Sequence, residues 1–338
     1  MTDLSPAIYG LAGETLSDAE RGFFRDARPA GYILFRRNVA DQAQLRRLTD
    51  DLRAIDGRAD LPILIDQEGG RVARMQPPVW PAFPKAERFD ALYDVAPISA
   101  IEAVRANARA LGAMLREGGI TVNCLPLLDV RRPEGHDVIG DRAFGSEPLR
   151  VAALGRAVIE GMRDEGVVGI VKHVPGHGRA MADSHKELPV VTAMAQELET
   201  DLAPFIALAD APMAMTAHVV YTAWDADLCA SVSPLVIKDI IRGRIGFDGL
   251  LMSDDLGMEA LAGGFADRAR DVIAAGCDVA LHCSGDMAEM EAVAGAIGAI
   301  SAEAQARLDR AMATVAGVTP RGAFAEYVDQ RDRLLALV

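Results

Sequence analysis

The sequence predicts an α/β protein, a single (β/α)8 barrel of the TIM type that spans residues 1–338 and ends in additional helices. Eight short apolar runs, each predicted to be a strand, alternate almost throughout with segments of helical periodicity. The runs are continuously apolar, which is typical of parallel strands buried on both faces. No linker or repeat divides the chain, and its 338 residues suit eight βα units. An open doubly wound sheet is the alternative, but residues 8–13 are a poor version of its Gly-rich nucleotide turn.

The predicted elements follow one another in the order that a barrel requires. Strands are predicted over residues 7–10, 31–35, 61–66, 120–125, 167–171, 213–216, 250–253 and 279–282. Helices are predicted over residues 18–26, 41–55, 98–117, 149–165, 197–209, 233–242 and 267–275, with two or more helices after the last strand. In the second helix, Leu45, Leu48 and Leu52 share one face. In the sixth, Ser233 suits the N-cap and Pro234 suits the first helical position.

Composition and charge argue against several classes of function. The formal net charge is −14 and no block of Lys and Arg stands out, so neither nucleic acid nor an anionic membrane is an expected partner. Four scattered cysteines lack metal-binding spacing and are predicted to be small buried residues in a reducing compartment: Cys124, Cys229, Cys277 and Cys283. No signal-peptide pattern begins the chain and no apolar run reaches membrane-spanning length, so a cytoplasmic protein is expected.

Ionisable residues are concentrated where predicted strands end. Residues 172–185 hold three histidines, a lysine, an arginine and an aspartate, directly after the strand at 167–171. The residues that end or follow other predicted strands are Asp66, Asp129, His218 and the pair Asp254 and Asp255. Taken singly, each of these suits an N-cap or a loop. Because the carboxyl ends of barrel strands converge on one face, the whole set predicts an active site there.

Several motifs at these strand ends occur in an informative order. They are DQEGGRV at 66–72 with Arg74, GDRAF at 140–144, KHVPGHG at 172–178 followed by DSH at 183–185 and LP at 188–189, MTAHV at 215–219, and GFDG at 246–249 leading to SDDLGM at 253–258. The set resembles the signature of bacterial β-N-acetylglucosaminidases of glycoside hydrolase family 3. Val174 departs from it, since the family usually has Phe there. The chain also ends soon after the predicted barrel, and in this it is similar to the short, single-domain cytoplasmic members.

The resemblance implies a retaining mechanism with a glycosyl-enzyme intermediate. Asp254 matches the nucleophile of the family, and a carboxylate at a strand end is held rigidly enough to attack an anomeric carbon. Asp255 is the alternative; neighbours on an extended segment point to opposite faces, so we expect only one of the two to face the site. The resemblance assigns the acid–base role to His185 paired with Asp183, which lie two apart on what we expect to be an extended turn. Bracing of the loop is the other interpretation of His185.

The resemblance also implies a substrate and its contacts. The positions that match sugar-binding residues of the family are Asp66, Arg74, Arg142, Lys172 and His173. Ion pairing at the barrel rim is the other interpretation of these residues. The implied enzyme is an exo-β-N-acetylglucosaminidase (β-hexosaminidase) that removes non-reducing terminal β-linked N-acetylglucosamine. Short cytoplasmic members typically act on the muropeptide fragment GlcNAc-anhydro-N-acetylmuramic acid in peptidoglycan recycling. The expected partner is therefore a small saccharide or muropeptide, with no cofactor, no metal, and a monomer as the expected state.

Three alternative functions remain open. The ligands of a metal-dependent barrel hydrolase would be His173, His177, His185 and His218. Such sites often use an HxH pair, whereas Asp183 and His185 offer a carboxylate at that spacing. A sugar-binding protein without catalysis would need neither Asp254 nor the Asp183–His185 pair. An N-acetylglucosaminide phosphorylase would transfer the sugar to phosphate, which a histidine acid–base does not repel as a carboxylate would.

Overall fold

Within residues 4–338, the part of the chain that the computed structural model describes, eight parallel strands close into a barrel. In chain order they are β1 (Ser5–Gly10), β2 (Pro29–Leu34), β3 (Ile63–Ile65), β4 (Val122–Asn123), β5 (Val168–Val174), β6 (Met213–Thr216), β7 (Leu250–Asp255) and β8 (Val279–His282). Each strand pairs with its neighbours in the chain, and β1 also pairs with β8, which closes the barrel. The predicted (β/α)8 architecture is therefore confirmed.

The helices connect the strands and continue beyond the last one. They are α1 (Asp18–Ala27), α2 (Gln42–Asp56), α3 (Ala86–Val95), α4 (Pro97–Glu117), α5 (Pro148–Asp164), α6 (Ala195–Ala207), a π-helix (Val236–Ile245), α7 (Phe265–Ala275), α8 (Met287–Ala296), α9 (Ala302–Ala313) and α10 (Phe324–Leu335). The hydroxyl of Ser233 accepts the backbone N–H of Val236 at 3.1 Å, as its predicted capping role requires. Residues 236–245, however, wind with π rather than α geometry. Helix α3 was not predicted; Lys85 at its N-cap makes no side-chain cap, so the usual start signal is missing.

Two strands run further than the sequence predicted. β5 continues to Val174 and contains Lys172 and His173, while β7 contains Asp254 and Asp255. The prediction that these residues follow their strands was wrong, because the end of each apolar run was taken as the end of the strand. At the carboxyl end of a barrel, inward side chains meet a cavity rather than packed interior, so charged residues fit while the backbone stays paired. Strand pairing therefore holds Lys172 and Asp255 directly, while His173 and Asp254 lie at register shifts between paired residues.

Two small sheets outside the barrel were not predicted. After β3, Gln67–Gly69 pairs antiparallel with Val72–Ala73. This hairpin brings Arg74 back towards Asp66, and the side-chain oxygen of Gln67 accepts the backbone N–H of Arg74 at 2.8 Å. The strands of the other small sheet are Val190–Val191, Val220–Tyr221 and Asp225–Cys229. The first hairpin matters for function, because it places one of the candidate sugar-binding arginines.

The barrel interior is filled with apolar side chains that include Val122. At the amino-terminal end of the barrel, Ile300 donates its N–H to the carbonyl of Leu4, and Leu308 and Met312 of α9 join the same interior cluster. The members of this cluster that also line a cavity at the opposite end are Ile33, Met215, Leu281 and Cys283. The packed interior thus closes one end of the barrel and forms the floor of a cavity at the other.

The cysteine and membrane predictions can be compared with the fold. Cys124, Cys229, Cys277 and Cys283 are all buried and free, as predicted. Over residues 4–338, no helix combines the length and the apolar character that crossing a membrane would need.

Candidate active site

A cavity of about 430 Å³ opens at the carboxyl ends of the barrel strands. The predicted catalytic and sugar-binding residues all line it: Asp66, Arg74, Arg142, Lys172, His173, Asp183, His185 and Asp254. They come from β5, β7 and the connections after β3, β4 and β5. The fold therefore brings together residues that are as much as 188 positions apart in the chain (66 to 254).

Asp254 presents a carboxylate to this cavity from the end of β7. One of its oxygens, Oδ1, accepts the backbone N–H of Asp255 at 2.9 Å. Burial would raise the pKa of Asp254, but the nearby His173 and His218 outweigh it and lower that pKa below its ordinary value. Asp254 is therefore ionised at neutral pH, as a nucleophile must be.

Asp255 is engaged differently from its neighbour. Its Oδ1 accepts the backbone N–H groups of Gly257 and Cys283, both at 3.0 Å. These bonds tie the segment after β7 to the segment after β8. Although Asp255 also borders the cavity, its carboxylate is used to hold the two segments together.

A network of buried and partly buried ion pairs forms one wall of the site. Lys172 Nζ lies 3.0 Å from Asp66 Oδ1 and 2.7 Å from Glu68 Oε1. Arg74 donates to Asp66 Oδ2 at 3.0 Å, and Arg142 makes two parallel 2.8 Å hydrogen bonds to Glu68. Burial would lower the pKa of Lys172, but Asp66 and Glu68 raise it above its ordinary value. The ion pairs at the barrel rim, which the sequence offered as the other interpretation, are therefore present. Their side chains also line the cavity, except for that of Glu68, which does not.

Glu68 is a residue whose part in the site the sequence analysis missed. Burial would raise its pKa, but Lys172 and Arg142 lower it to about 2. Glu68 thus carries a charge at neutral pH and aligns two cations towards the cavity from behind. The available signal was its spacing from Asp66, since side chains two apart on an extended segment lie on the same side.

Asp183 and His185 form a close pair at the cavity mouth. Asp183 Oδ1 lies 2.8 Å from His185 Nδ1 and also accepts the backbone N–H of His185 at 3.0 Å. The prediction of an extended turn was wrong, because the carbonyl of Asp183 accepts the N–H groups of Lys186 and Glu187 in a tight turn. Burial would raise the pKa of Asp183, but the two hydrogen bonds from His185 lower it. The Nδ1 atom is thereby occupied, which leaves Nε2 of His185 for proton transfer.

A second Asp–His pair lies deeper in the barrel. Asp129 Oδ2 is 2.8 Å from His173 Nδ1, and Asp129 Oδ1 accepts the backbone N–H of His177 at 2.7 Å. Burial would raise the pKa of Asp129, but His173 and His177 lower it to about 2. Burial, reinforced by His173, lowers the pKa of His177 to about 4. Asp129 is not among the residues that line the cavity, so it can influence the site only through its neighbours.

The histidines of the metal-dependent alternative have separate partners. Both ring nitrogens of His218 are bonded, to Ser231 Oγ at 2.7 Å and to the carbonyl of Asp255 at 3.0 Å. His177 Nε2 meets Ser184 Oγ at 3.2 Å. Among residues 4–338, no three or more His, Cys, Asp or Glu side chains are arranged to hold one metal ion. The arrangement therefore gives no support to that alternative.

Comparison with known proteins agrees with this geometry. The sequence profile described as "Glycosyl hydrolase family 3 N terminal domain" matches residues 10–318. A β-hexosaminidase of Bordetella avium (strain 197N) is 38% identical over 284 residues, covering 82% of this chain and 80% of the relative. A β-hexosaminidase of Alkalilimnicola ehrlichii is 41% identical over 286 residues, covering 83% and 81%. The crystal structure of NagZ from Neisseria gonorrhoeae in complex with N-trifluoroacetyl-D-glucosamine is similar at a TM-score of 0.87 and 32% identity, covering 99% of this chain and 98% of that one.

Proposed function

The chain belongs to glycosyl hydrolase family 3 and is a glycoside hydrolase of the β-hexosaminidase type, and on that premise we propose that it is a retaining exo-β-N-acetylglucosaminidase. It would remove non-reducing terminal β-linked N-acetylglucosamine from muropeptide fragments such as GlcNAc-anhydro-N-acetylmuramic acid, in cytoplasmic peptidoglycan recycling. The observation that carries the proposal is the single cavity shared by the Asp254 carboxylate, the Asp183–His185 pair and a cationic wall. The cationic wall consists of Arg74, Arg142 and Lys172. The N-acylated glucosamine analogue bound by the gonococcal protein supports an amino sugar as the ligand.

In the first step, an oxygen of Asp254 attacks the anomeric carbon and the bond to the leaving oxygen breaks. Protonated His185 gives its Nε2 proton to that oxygen, so the aglycone departs as a neutral alcohol. Asp183 holds Nδ1–H at 2.8 Å throughout, which fixes the direction of Nε2. The sugar is then bound covalently to Asp254.

In the second step, the neutral His185 takes a proton from water as that water attacks the anomeric carbon. The bond to Asp254 breaks, and N-acetylglucosamine leaves with its β configuration retained. The exposed side chain of His185 suits this step, because water must reach the ring from solvent. The enzyme returns to its starting state with Asp254 ionised and His185 protonated.

The cationic wall holds the sugar during both steps. Lys172, Arg142 and Arg74 are already aligned by Asp66 and Glu68, so little side-chain entropy is lost when a sugar binds. Their N–H groups donate to hydroxyls as charge-assisted hydrogen bonds.

The test is turnover of p-nitrophenyl N-acetyl-β-glucosaminide and of GlcNAc-anhydro-N-acetylmuramic acid, each with and without inorganic phosphate. We expect free N-acetylglucosamine as the product in every case; chitobiose, measured as a comparison substrate, should give a lower kcat/KM than the muropeptide fragment. N-acetylglucosamine 1-phosphate as the product would establish the phosphorylase alternative. Binding of both substrates by folded protein without turnover would establish the sugar-binding alternative.

A further inference from the structure

We propose that Asp129 is a positioning residue that couples the sugar-binding His173 to the loop that carries His185. The inference rests on the proposed function and adds to it a residue that acts from behind the cavity. Asp129 has a fully buried side chain: its Oδ2 contacts the ring of His173, and its Oδ1 accepts the backbone N–H groups of His173 and His177. Each oxygen orients a different part of the site.

The first oxygen orients the ring of His173. Asp129 Oδ2 lies 2.8 Å from His173 Nδ1, and Asp129 is ionised, so Nδ1 must carry the hydrogen. The other ring nitrogen, Nε2, then presents a lone pair when the ring is neutral. Since His173 lines the cavity, this tautomer decides whether the ring accepts or donates a hydrogen bond to a sugar hydroxyl.

The second oxygen anchors the start of the loop. Asp129 Oδ1 accepts the backbone N–H of His177 at 2.7 Å. The next residue, Gly178, packs closely against the backbone of Val130. A Cβ atom on residue 178 would lie only 1.9 Å from the carbonyl oxygen of Val130. Residues 177–178 are therefore fixed against the segment that follows β4.

The anchored part is connected to the turn that bears the acid–base pair. His177 Nε2 lies 3.2 Å from Ser184 Oγ, and Ser184 stands between Asp183 and His185. The path from His173 to His185 thus runs through one carboxylate, one backbone N–H and one side-chain hydrogen bond. A change at Asp129 should reach both histidines.

The informative variant is Asp129→Asn, because an amide cannot accept hydrogen bonds on both sides. The amide oxygen should face the backbone N–H groups of His173 and His177, which cannot change their polarity. The amide NH2 then faces His173 Nδ1, which becomes an acceptor, and the ring proton moves to Nε2. An equivalent Asp→Asn change in the Ser-His-Asp triad costs about 10⁴ in kcat through the wrong tautomer. His173 binds rather than transfers a proton, so we expect a smaller loss.

The experiment combines a tautomer measurement with kinetics. Nitrogen-15 NMR of wild-type protein should show His173 protonated at Nδ1, and Asp129→Asn should shift the proton to Nε2. The variant should lose roughly tenfold to a hundredfold in kcat/KM on an activated dinitrophenyl glycoside, the range for a buried hydrogen-bonding group left without its partner. The loss on the natural disaccharide should be larger again, since that substrate also needs a well-placed His185.

The matched control is Asp278→Asn, at a buried carboxylate remote from the cavity. Asp278 Oδ2 accepts the backbone N–H of Leu251 at 2.8 Å and a hydrogen bond from Arg242 at 2.7 Å. Its loss should lower stability while leaving the His173 tautomer and the kinetic constants unchanged.

Several outcomes would overturn the inference. A wild-type spectrum with the His173 proton on Nε2 would do so without any variant, even if Asp129→Asn failed to fold. An Asp129→Asn enzyme with wild-type kinetics would do so as well, and an equal loss on both substrates would remove the coupling to the loop. Failure of the proposed function has a different signature, namely wild-type protein that releases no N-acetylglucosamine, and the tautomer measurement does not depend on it.

Discussion

The Asp129–His173 and Asp183–His185 pairs share one geometry in two environments. In both, a carboxylate oxygen lies 2.8 Å from Nδ1 of the imidazole. The side chains of Asp129 and His173 are 0% and 9% exposed, whereas those of Asp183 and His185 are 17% and 65% exposed. An Asp–His pair of this geometry therefore does not by itself determine a function. The solvent exposure of the pair and the backbone element that holds it decide what the two groups can do.

The backbone setting reinforces the contrast. His173 lies within β5 at a shift in strand register, where its backbone N–H donates to Asp129 Oδ1 at 3.2 Å and its carbonyl accepts the N–H of Gly176, so its ring keeps one direction. His185 lies in a turn, where protons can exchange with water between the two steps of the proposed reaction. On this contrast rests our proposal that the buried pair binds the sugar and the exposed pair transfers the proton.

The largest expected effect comes from removing the group that both pairs flank. Asp254→Asn should lower kcat on the order of 10⁴-fold or more, as removal of a covalent nucleophile does. Sugar binding should survive, because the cationic wall is untouched. A 2-fluoro sugar probe should label Asp254 in wild-type protein, detected by peptide mass spectrometry. Labelling of Asp255 or Glu68 instead would contradict the assignment and with it the contrast between the pairs.

The contrast itself is tested by His185→Ala and His173→Ala. His185→Ala should cost roughly a hundred- to ten-thousandfold on a natural disaccharide, but far less on a dinitrophenyl glycoside, whose leaving group needs little protonation. His173→Ala should cost the same factor on both substrates, since both carry the same sugar. Steady-state and burst kinetics on the two substrates provide the measurement. Equal losses for His185→Ala would mean that this histidine only braces its loop.

A smaller effect is expected at the cationic wall. Arg142→Ala and Lys172→Ala should raise KM and lower kcat/KM roughly tenfold to a hundredfold, equally on both substrates, because the wall is proposed to contact the sugar that both substrates share. Each change also leaves buried Glu68 short of a partner, so thermal stability should fall. Arg244→Ala, in an exposed ion pair, is the control and should change neither property. Unchanged kinetics for both wall variants would remove this wall from the binding site.

The barrel could be predicted from the sequence because its strands are continuous apolar runs. The motif residues could be predicted because they lie at strand ends. Features that depend on contacts between residues far apart in the chain could not be predicted. Nothing local to Glu68 indicates that Lys172 and Arg142, more than seventy residues away, will share its carboxylate. His173 is buried and His185 is exposed, although both lie beside polar residues in one short segment. This difference could not be predicted from the sequence either. Strand ends were misplaced for a related reason, since a charged residue ends an apolar run without ending backbone pairing.

The smallest expected effect concerns His177, which contacts Asp129 through its backbone and the turn of the exposed pair through its ring. Its pKa of about 4 in the folded state lies below the ordinary value of 6.5. Between these values the unfolded chain binds a proton that the folded protein does not, so stability falls as pH falls from 6.5 towards 4. This one group should cost roughly 2 kcal/mol between pH 7 and pH 5.

His177→Gln should remove that pH dependence, because glutamine can bond Ser184 but does not titrate. Urea unfolding of both proteins at pH 7 and pH 5 gives the measurement, and the other titrating groups cancel in the difference between them. If the two proteins lost the same stability on acidification, His177 would be solvated rather than buried. The contacts of His177 with Asp129 and Ser184 would then be too weak to transmit a change at Asp129 to His185. The two Asp–His pairs would have to act independently.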